Sequence, residues 1–235
     1  MLPTVRISDI GLFMRCPRLL YFEPMEPRPP DPLQLLIRGL MLGISGTDGD
    51  GLEARIEKLS QEILIIYRGQ IDPQEISIAI HEMEPIMPEL SQYISSSDQL
   101  LPSDVEVDLR SDRLVLSGRL DRLVAGTIPS LIRTGKAPEN GAWKTDRLKL
   151  AGYAILLEEM LDKRIEYGLV EYPRSGVIRK VSIRSIDRSR VLRARDSILK
   201  IKKGWLPDRP GQADCQRCPA LERCESKCSL MSKLF

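Results

Sequence analysis

The sequence predicts a mixed α/β core, preceded by a helical N-terminal segment and closed by a basic helix and a cysteine loop. Apolar residues recur every three to four positions over the first hundred residues, and the period drops to two from Asp104. Strands, a helix, strands and a second helix then follow in order, a pattern that builds a sheet with helices packed on it. The 235 residues can bury a core without covalent staples. They are read as one domain over 1–235: a helical cap over 1–103, the α/β core over 104–184, and the basic helix with its cysteine loop over 185–235.

The first helix is expected to start at Ser8, which can cap a segment running through Ile10, Leu12, Phe13 and Leu19. The proline-rich stretch Pro24 to Pro32 breaks it. Helical patterns resume at Leu33 to Leu42, at Leu52 to Tyr67, and from Pro73 to about Tyr93. From Asp104, Val105, Val107 and Leu109 alternate with acids, Ser111-Asp112 makes a turn, and Leu114, Leu116 and Leu120 continue as strands. Gly126 turns the chain into a strand over Ile128 to Arg133. A helix over Thr145 to Leu161, strands near Tyr167 to Tyr172 and Val177 to Ile183, and a last helix after Ser185 complete the order.

The net charge of +2 conceals two poles. Glu23 to Asp108 holds 17 acidic residues against five basic, and Arg174 to Trp205 holds eleven basic against two acidic. The basic segment suits a phosphate backbone or, equally, a solvated helix face. On the last helix Val191, Ala194, Ile198 and Ile201 form an apolar stripe, with Arg188, Arg195 and Lys202 beside it at seven-residue spacing, able to present charge while the stripe docks. The start lacks the apolar run of a secretory leader, and no stretch approaches the roughly twenty residues of a membrane span, so a cytoplasmic protein is expected.

Five cysteines and a single histidine, His81, exclude a two-Cys two-His finger and multi-histidine catalysis. In a reducing compartment, clustered cysteines read as metal ligands. Cys215, Cys218 and Cys224 form C-x2-C-x5-C, with Cys228 four positions on and Cys16 alone beside Pro17. A Zn2+ on Cys215, Cys218, Cys224 and Cys228 and an iron-sulfur cluster both satisfy this spacing.

Cys16-Pro-Arg-Leu-Leu-Tyr-Phe22 near the start and Cys215-Gln-Arg-Cys218-Pro-Ala-Leu-Glu-Arg-Cys224 near the end resemble the CRISPR-associated RecB-like exonucleases. Ser117-Gly-Arg-Leu-Asp-Arg-Leu123, Thr134-Gly-Lys-Ala-Pro138 and Leu150 to Met160 extend the likeness through the middle of the chain. The resemblance implies a restriction-endonuclease-type (PD-(D/E)xK) core, a 4Fe-4S cluster on Cys16, Cys215, Cys218 and Cys224 joining the chain ends, DNA as partner, and a setting in CRISPR antiviral defence. Cys228 is then spare.

Such relatives hold Mg2+ or Mn2+ on an Asp and a Glu beside a Lys that orients or activates water. Asp121 matches the Asp; read on its own it is equally a strand-end acid paired with Arg119 or Arg122. The Pro-x-Glu-x-Lys-x-Gly-Lys pattern falls on Pro129-Ser-Leu131-Ile-Arg133-Thr-Gly135-Lys136, so Leu131 replaces the Glu and Arg133 the Lys. Leu offers no ligand, and Arg, with a pKa above about 12, exchanges no proton but still grips phosphate. Lys149 stands where relatives carry Gln, Tyr153 matches their Tyr, and Gly43 follows Arg38-Gly-Leu-Met-Leu42 where they carry His. Glu106, Asp108 and Glu139 are the acids that could have migrated into the site.

The expected function is therefore a nuclease fold with catalysis impaired, acting in DNA binding or in CRISPR adaptation-type complexes through Arg133, Lys136, Lys149 and the helix of Arg188, Arg195 and Lys202. Two alternatives stand beside it. One is an active Mg2+- or Mn2+-dependent single-stranded DNA exonuclease using Asp121. The other is a zinc-stapled adaptor that binds protein or RNA.

Overall fold

The computed structural model describes residues 4–22, 30–44, 51–211, 213, 215, 216 and 218–225. The chain opens with β1 (Val5–Arg6) and turns directly into α1 (Ile7–Arg15). The expected cap, Ser8, lies inside this helix; the Asp9 carboxylate closes the first turn by accepting from the Arg6 N–H at 3.0 Å. Cys16 is extended, as a residue before proline prefers, and Pro17 opens a separate short helix, α2 (Arg18–Tyr21). What the apolar spacing presents as one helix is thus two, with Cys16 at the corner.

Asp31 caps α3 (Pro32–Leu42) by accepting from the Gln34 N–H at 3.2 Å, with Pro32 at the first helical position, where its missing N–H costs nothing. After α4 (Leu52–Ile66), Asp72 caps α5 (Pro73–Met83) in the same way, on Gln74 and Glu75. The continuous helix expected from Pro73 to Tyr93 breaks at Glu84–Ile86 and restarts as α6 (Met87–Ser95), because Pro85 and Pro88 withdraw two donors.

The sheet contains β2 (Ser103–Ser111), β3 (Leu116–Val124), β4 (Ile128–Ile132), β5 (Tyr167–Tyr172) and β6 (Val177–Ser182), side by side in that order. Strands β2–β3, β3–β4 and β5–β6 are antiparallel, whereas β4 and β5 are parallel and joined by α7 (Lys144–Leu161). Strand β1 pairs in parallel with Leu116 and Ser117 of β3, and β4 with Arg122 to Val124. Both use the edge opposite β2, so the strand neighbours part at Gly118 to Asp121.

Helices α1, α7 and α8 (Ser185–Lys202) cover one face of the sheet around Leu120, Leu131 and Val170. Helices α3 to α6 cover the other, packing Leu36, Leu40, Met83 and Leu90 against Val124, Ile132 and Leu169. The acidic N-terminal helices therefore form a second layer on the sheet, while α1 and α2, grouped with them in the sequence, lie on the opposite side.

A buried charge pair joins the two layers. Arg122 of β3 and Glu171 of β5 are fully inaccessible, with Nε and Oε1 3.4 Å apart. Arg122 also donates to Ser103 Oγ at 2.9 Å and to the Met41 carbonyl at the end of α3. Glu171 accepts from the Ser130 hydroxyl at 2.6 Å and from the Tyr93 hydroxyl of α6. Burial pushes the Glu171 carboxyl upward in pKa, and Arg122 with the two hydroxyls opposes that shift. Removing one member leaves a charge buried without its partner, so Arg122→Ala should lower unfolding free energy by about 3–5 kcal/mol. In urea titrations the double variant Arg122→Ala/Glu171→Gln should recover part of that loss; equal losses in both would show that the charge pair is not the source.

Candidate active site and its cysteine staple

Asp121 sits where the sheet changes its pattern. Leu116 and Leu120 of β3 point into the core under α7, yet Arg122 and Val124, of the same parity, face α3 to α6, while Leu123 returns to the α7 side. The alternation slips by one residue at Asp121. Directly across on β2, Glu106 adopts a left-handed φ of 53°. A non-glycine residue holds that conformation at a cost of order 1–3 kcal/mol unless neighbours fix it.

Those neighbours are cations. The Asp121 carboxylate is 9% exposed, and its Oδ2 accepts from the Ile132 N–H of β4 at 2.9 Å. Its Oδ1 accepts from Arg38 of α3, whose other nitrogen lies 3.5 Å from Glu106 Oε1. Arg119 approaches the second Glu106 oxygen at 3.3 Å. Burial works against the Arg38 charge, but Asp121 and Glu106 outweigh it and raise the guanidinium pKa further. Both Asp121 oxygens are thus occupied from within the chain.

The other predicted positions surround this pair without completing a metal site. Leu131 is buried in the α7-side core, 4% exposed, and serves there in packing. Arg133 follows β4 and holds Asp146 of α7, Nε to Oδ1 at 2.8 Å, and Asp146 also accepts from the Tyr172 hydroxyl at 2.9 Å. Lys149 is tucked under α1, where a Cβ on Gly11 would come within 2.6 Å of its Cε. Burial lowers the Lys149 pKa, Arg133 adds to the effect, and Asp146 and Asp121 counter it. Tyr153 donates to the Arg119 carbonyl at 2.7 Å, and burial pushes its phenol upward. Among the described residues no three His, Cys, Asp or Glu side chains converge to hold Mg2+ or Mn2+; Asp121 contacts Arg38, and its charge also acts on Lys149 and Glu171. Glu106 shares Arg38 with Asp121, Asp108 lies at 4.0 Å from Arg119, and Glu139 offers its carbonyl to Arg179.

Of the predicted nucleic-acid residues, Lys136 is exposed beside Arg133. The α8 residues differ from expectation. Arg188 binds Glu158 and the Ile183 and Ile165 carbonyls, Arg195 binds Asp196 and the Leu114 carbonyl, and Lys202 binds Asp9 and the Thr4 carbonyl. Their side chains are 15%, 19% and 22% exposed. The seven-residue spacing marks a seam that ties α8 to the rest of the fold, and it presents no free charge. His81 is a surface residue paired with Glu84 at 3.2 Å.

The two chain ends meet. Cys16, Cys218 and Cys224 pack against Leu19, Phe22 and Ala220. Arg18 donates to the Pro207 carbonyl at 2.9 Å and to the Cys224 sulfur at 3.2 Å, and Arg223 donates to the Phe22 carbonyl at 2.8 Å. Arg209 hydrogen-bonds Cys215, which raises the guanidinium pKa. Cys16, Cys215, Cys218 and Cys224 are unbridged and half-buried. Cys16, Cys218 and Cys224 thus share one small cluster of side chains, and Cys215 joins it through Arg209, whose charge also feels Cys224. Among the described residues, however, no three His, Cys, Asp or Glu side chains converge to hold a metal ion. Cys228 lies outside the described residues.

No protein-family profile matches the chain. A protein of Archaeoglobus fulgidus described as uncharacterized is 25% identical over 98% of this chain and 99% of its own length. The crystal structure of a "putative exonuclease" from Eubacterium rectale superposes with a TM-score of 0.53 at 12% identity, covering 92% of this chain and 87% of that one. SSO0001 aligns over 97% and 88% at 15% identity, with a TM-score of 0.48. The chain thus has a mixed α/β fold of the type seen in that exonuclease-like structure.

Reading along the chain missed Arg38, Asp146, Trp143 and Arg15. Asp146 precedes Lys149 by three residues on one helix, a spacing that places both on the same face, and this was the available signal. Arg38 carried none beyond its position in the motif, because its partners lie on β2 and β3. Lys149, with its pKa lowered in the folded state, binds fewer protons there than in the unfolded chain, so stability should rise with pH as the unfolded lysine titrates toward about 10.4. Lys149→Gln should therefore raise the melting temperature at pH 7, with the gain shrinking as pH rises toward that value. A gain independent of pH in calorimetry would contradict this origin.

Proposed function

We propose that this protein binds DNA on an exonuclease-type scaffold without cleaving it through a divalent cation. The observation that carries this is the Asp121 carboxylate, each of whose oxygens already accepts from the chain, one from Arg38 and one from the Ile132 N–H. A cation fixed in the chain supplies the compensation a metal ion would, and it brings no bound water to activate. Leu131 removes the second carboxylate, and Arg133, engaged with Asp146, cannot act as a proton carrier. Exposed Arg15 and Lys136, beside Arg133, supply the charge for a phosphate backbone.

The resemblance to CRISPR-associated RecB-like exonucleases supports two further parts of the proposal: a 4Fe-4S cluster on Cys16, Cys215, Cys218 and Cys224, and work within a CRISPR adaptation-type protein complex. The cluster would serve as a staple holding α1 and α2 to the C-terminal loop. No step of DNA binding runs through it. Among the described residues no helix is long and apolar enough to cross a membrane.

Protein purified without oxygen should bind single-stranded DNA, measured by fluorescence anisotropy, and leave it uncut in Mn2+. The double charge reversal Arg15→Glu/Lys136→Glu should weaken binding and flatten its dependence on salt, since each phosphate contact contributes nearly one unit to the slope. Degradation that disappears in Asp121→Ala would overturn the non-cleaving reading. For the staple, Cys16→Ala should bleach the visible absorption of the cluster; a colourless protein with one tightly held zinc per chain would instead favour the zinc-stapled form.

A further inference from the structure

Beside Arg133 a cavity of about 470 Å3 opens between the end of α1, the segment after β4 and the start of α7. Its volume lies in the roughly 300–1,000 Å3 range of small-molecule sites. Arg15, Lys136, Arg133, Trp143, Thr145 and Tyr172 contribute to its lining. Arg15 and Lys136 are exposed and have no ion-pair partner among the described residues. Asp146, the acid in the lining, is already neutralised by Arg133 and hydrogen-bonded by Tyr172. Arg133 spends its Nε on that bond and keeps the end of its fork for another acceptor. The N–H groups of the first turn of the 18-residue helix α7 add partial positive charge.

Trp143 gives the cavity a second chemistry. It is 53% exposed, yet its position is fixed: the indole N–H donates to the Lys136 carbonyl at 3.0 Å and the backbone N–H to the Tyr172 oxygen at 3.4 Å. Anchored by its edge, the half-exposed ring contributes an aromatic surface to the cavity's lining. An inorganic anion would leave that surface unused, and an apolar ligand would leave the cations uncompensated. A planar group joined to a phosphate uses both.

We propose that this cavity holds a single nucleotide, its base stacked on Trp143 and its phosphate gripped by Arg15, Arg133 and Lys136. The inference rests on the DNA-binding reading and gives it a site and a ligand class. Base stacking on an aromatic side chain adds to the phosphate contacts and tolerates any base, since every base has a π-face. The nucleotide could be free or the end of a strand, and the two sources are separable.

The chain has two tryptophans, so Trp205→Phe leaves Trp143 as the one indole reporter. That protein is titrated with dAMP, with a 5′-phosphorylated deoxyoligonucleotide, with the same strand dephosphorylated, and with inorganic phosphate, while anisotropy of a labelled strand follows binding separately. Saturable quenching by dAMP and by the phosphorylated strand is expected, weakened about tenfold by Lys136→Ala or Arg15→Ala, with phosphate alone ineffective. Stronger quenching by the phosphorylated strand than by dAMP assigns the site to strand ends; the reverse assigns it to free nucleotides. If the strand binds by anisotropy but neither ligand quenches Trp143, the nucleotide cavity is wrong and the DNA-binding reading survives. Quenching by dAMP with no strand binding keeps the cavity and removes the DNA reading. No response in either measurement overturns both, with Trp143→Phe and circular dichroism confirming that the fold is intact.

Discussion

The Asp121 carboxylate, held between the Ile132 N–H and the Arg38 guanidinium, is the constraint on which this molecule turns. It lies where β1 and β4 part along one edge of β3 and where the strand changes the face it presents. A carboxylate so enclosed must be compensated, because an isolated buried charge is far more costly than a paired one. Arg38 provides the compensation from α3, on the opposite layer from α7, so the pairing also positions the N-terminal helices over the sheet. Glu106 extends the pairing to β2 and takes a left-handed backbone to do so.

A repeated solution follows from that. Asp146 is held by Arg133 as Asp121 is held by Arg38, and Glu171 is held by Arg122 in the interior. Three acids of the core, two beside the candidate site and one in the interior, each have an arginine in contact. Beyond these pairs, Arg15 and Lys136 add positive charge that has no ion-pair partner among the described residues, the charge on which the proposed phosphate contacts rest.

Much of the architecture was legible in the sequence because it rests on periodicity. The alternation from Asp104 and the long apolar helix before Leu161 appear as β2 to β4 and α7, with Leu131 and Arg133 at the expected strand and its end. Local pattern could not show that α1 and α2 leave the other N-terminal helices for the opposite face, since that depends on which core each apolar stripe meets. Nor could it show what α8 meets: spacing alone separates a charged stripe from an apolar one, but only Glu158, Asp9 and the carbonyls of Leu114, Ile165 and Thr4 show that Arg188, Arg195 and Lys202 have partners within the chain. Leu131 and Arg133 were readable directly; the contact between Arg38 and Asp121 was not, because the two are 83 residues apart in the chain.

The most direct test of this account is a manganese titration followed by electron paramagnetic resonance, in the wild type and in Asp121→Ala. The account predicts identical spectra dominated by free aqueous Mn2+, since Arg38 already fills the position on Asp121. A bound Mn2+ signal in the wild type that vanishes in Asp121→Ala would contradict it and restore a metal-dependent nuclease site.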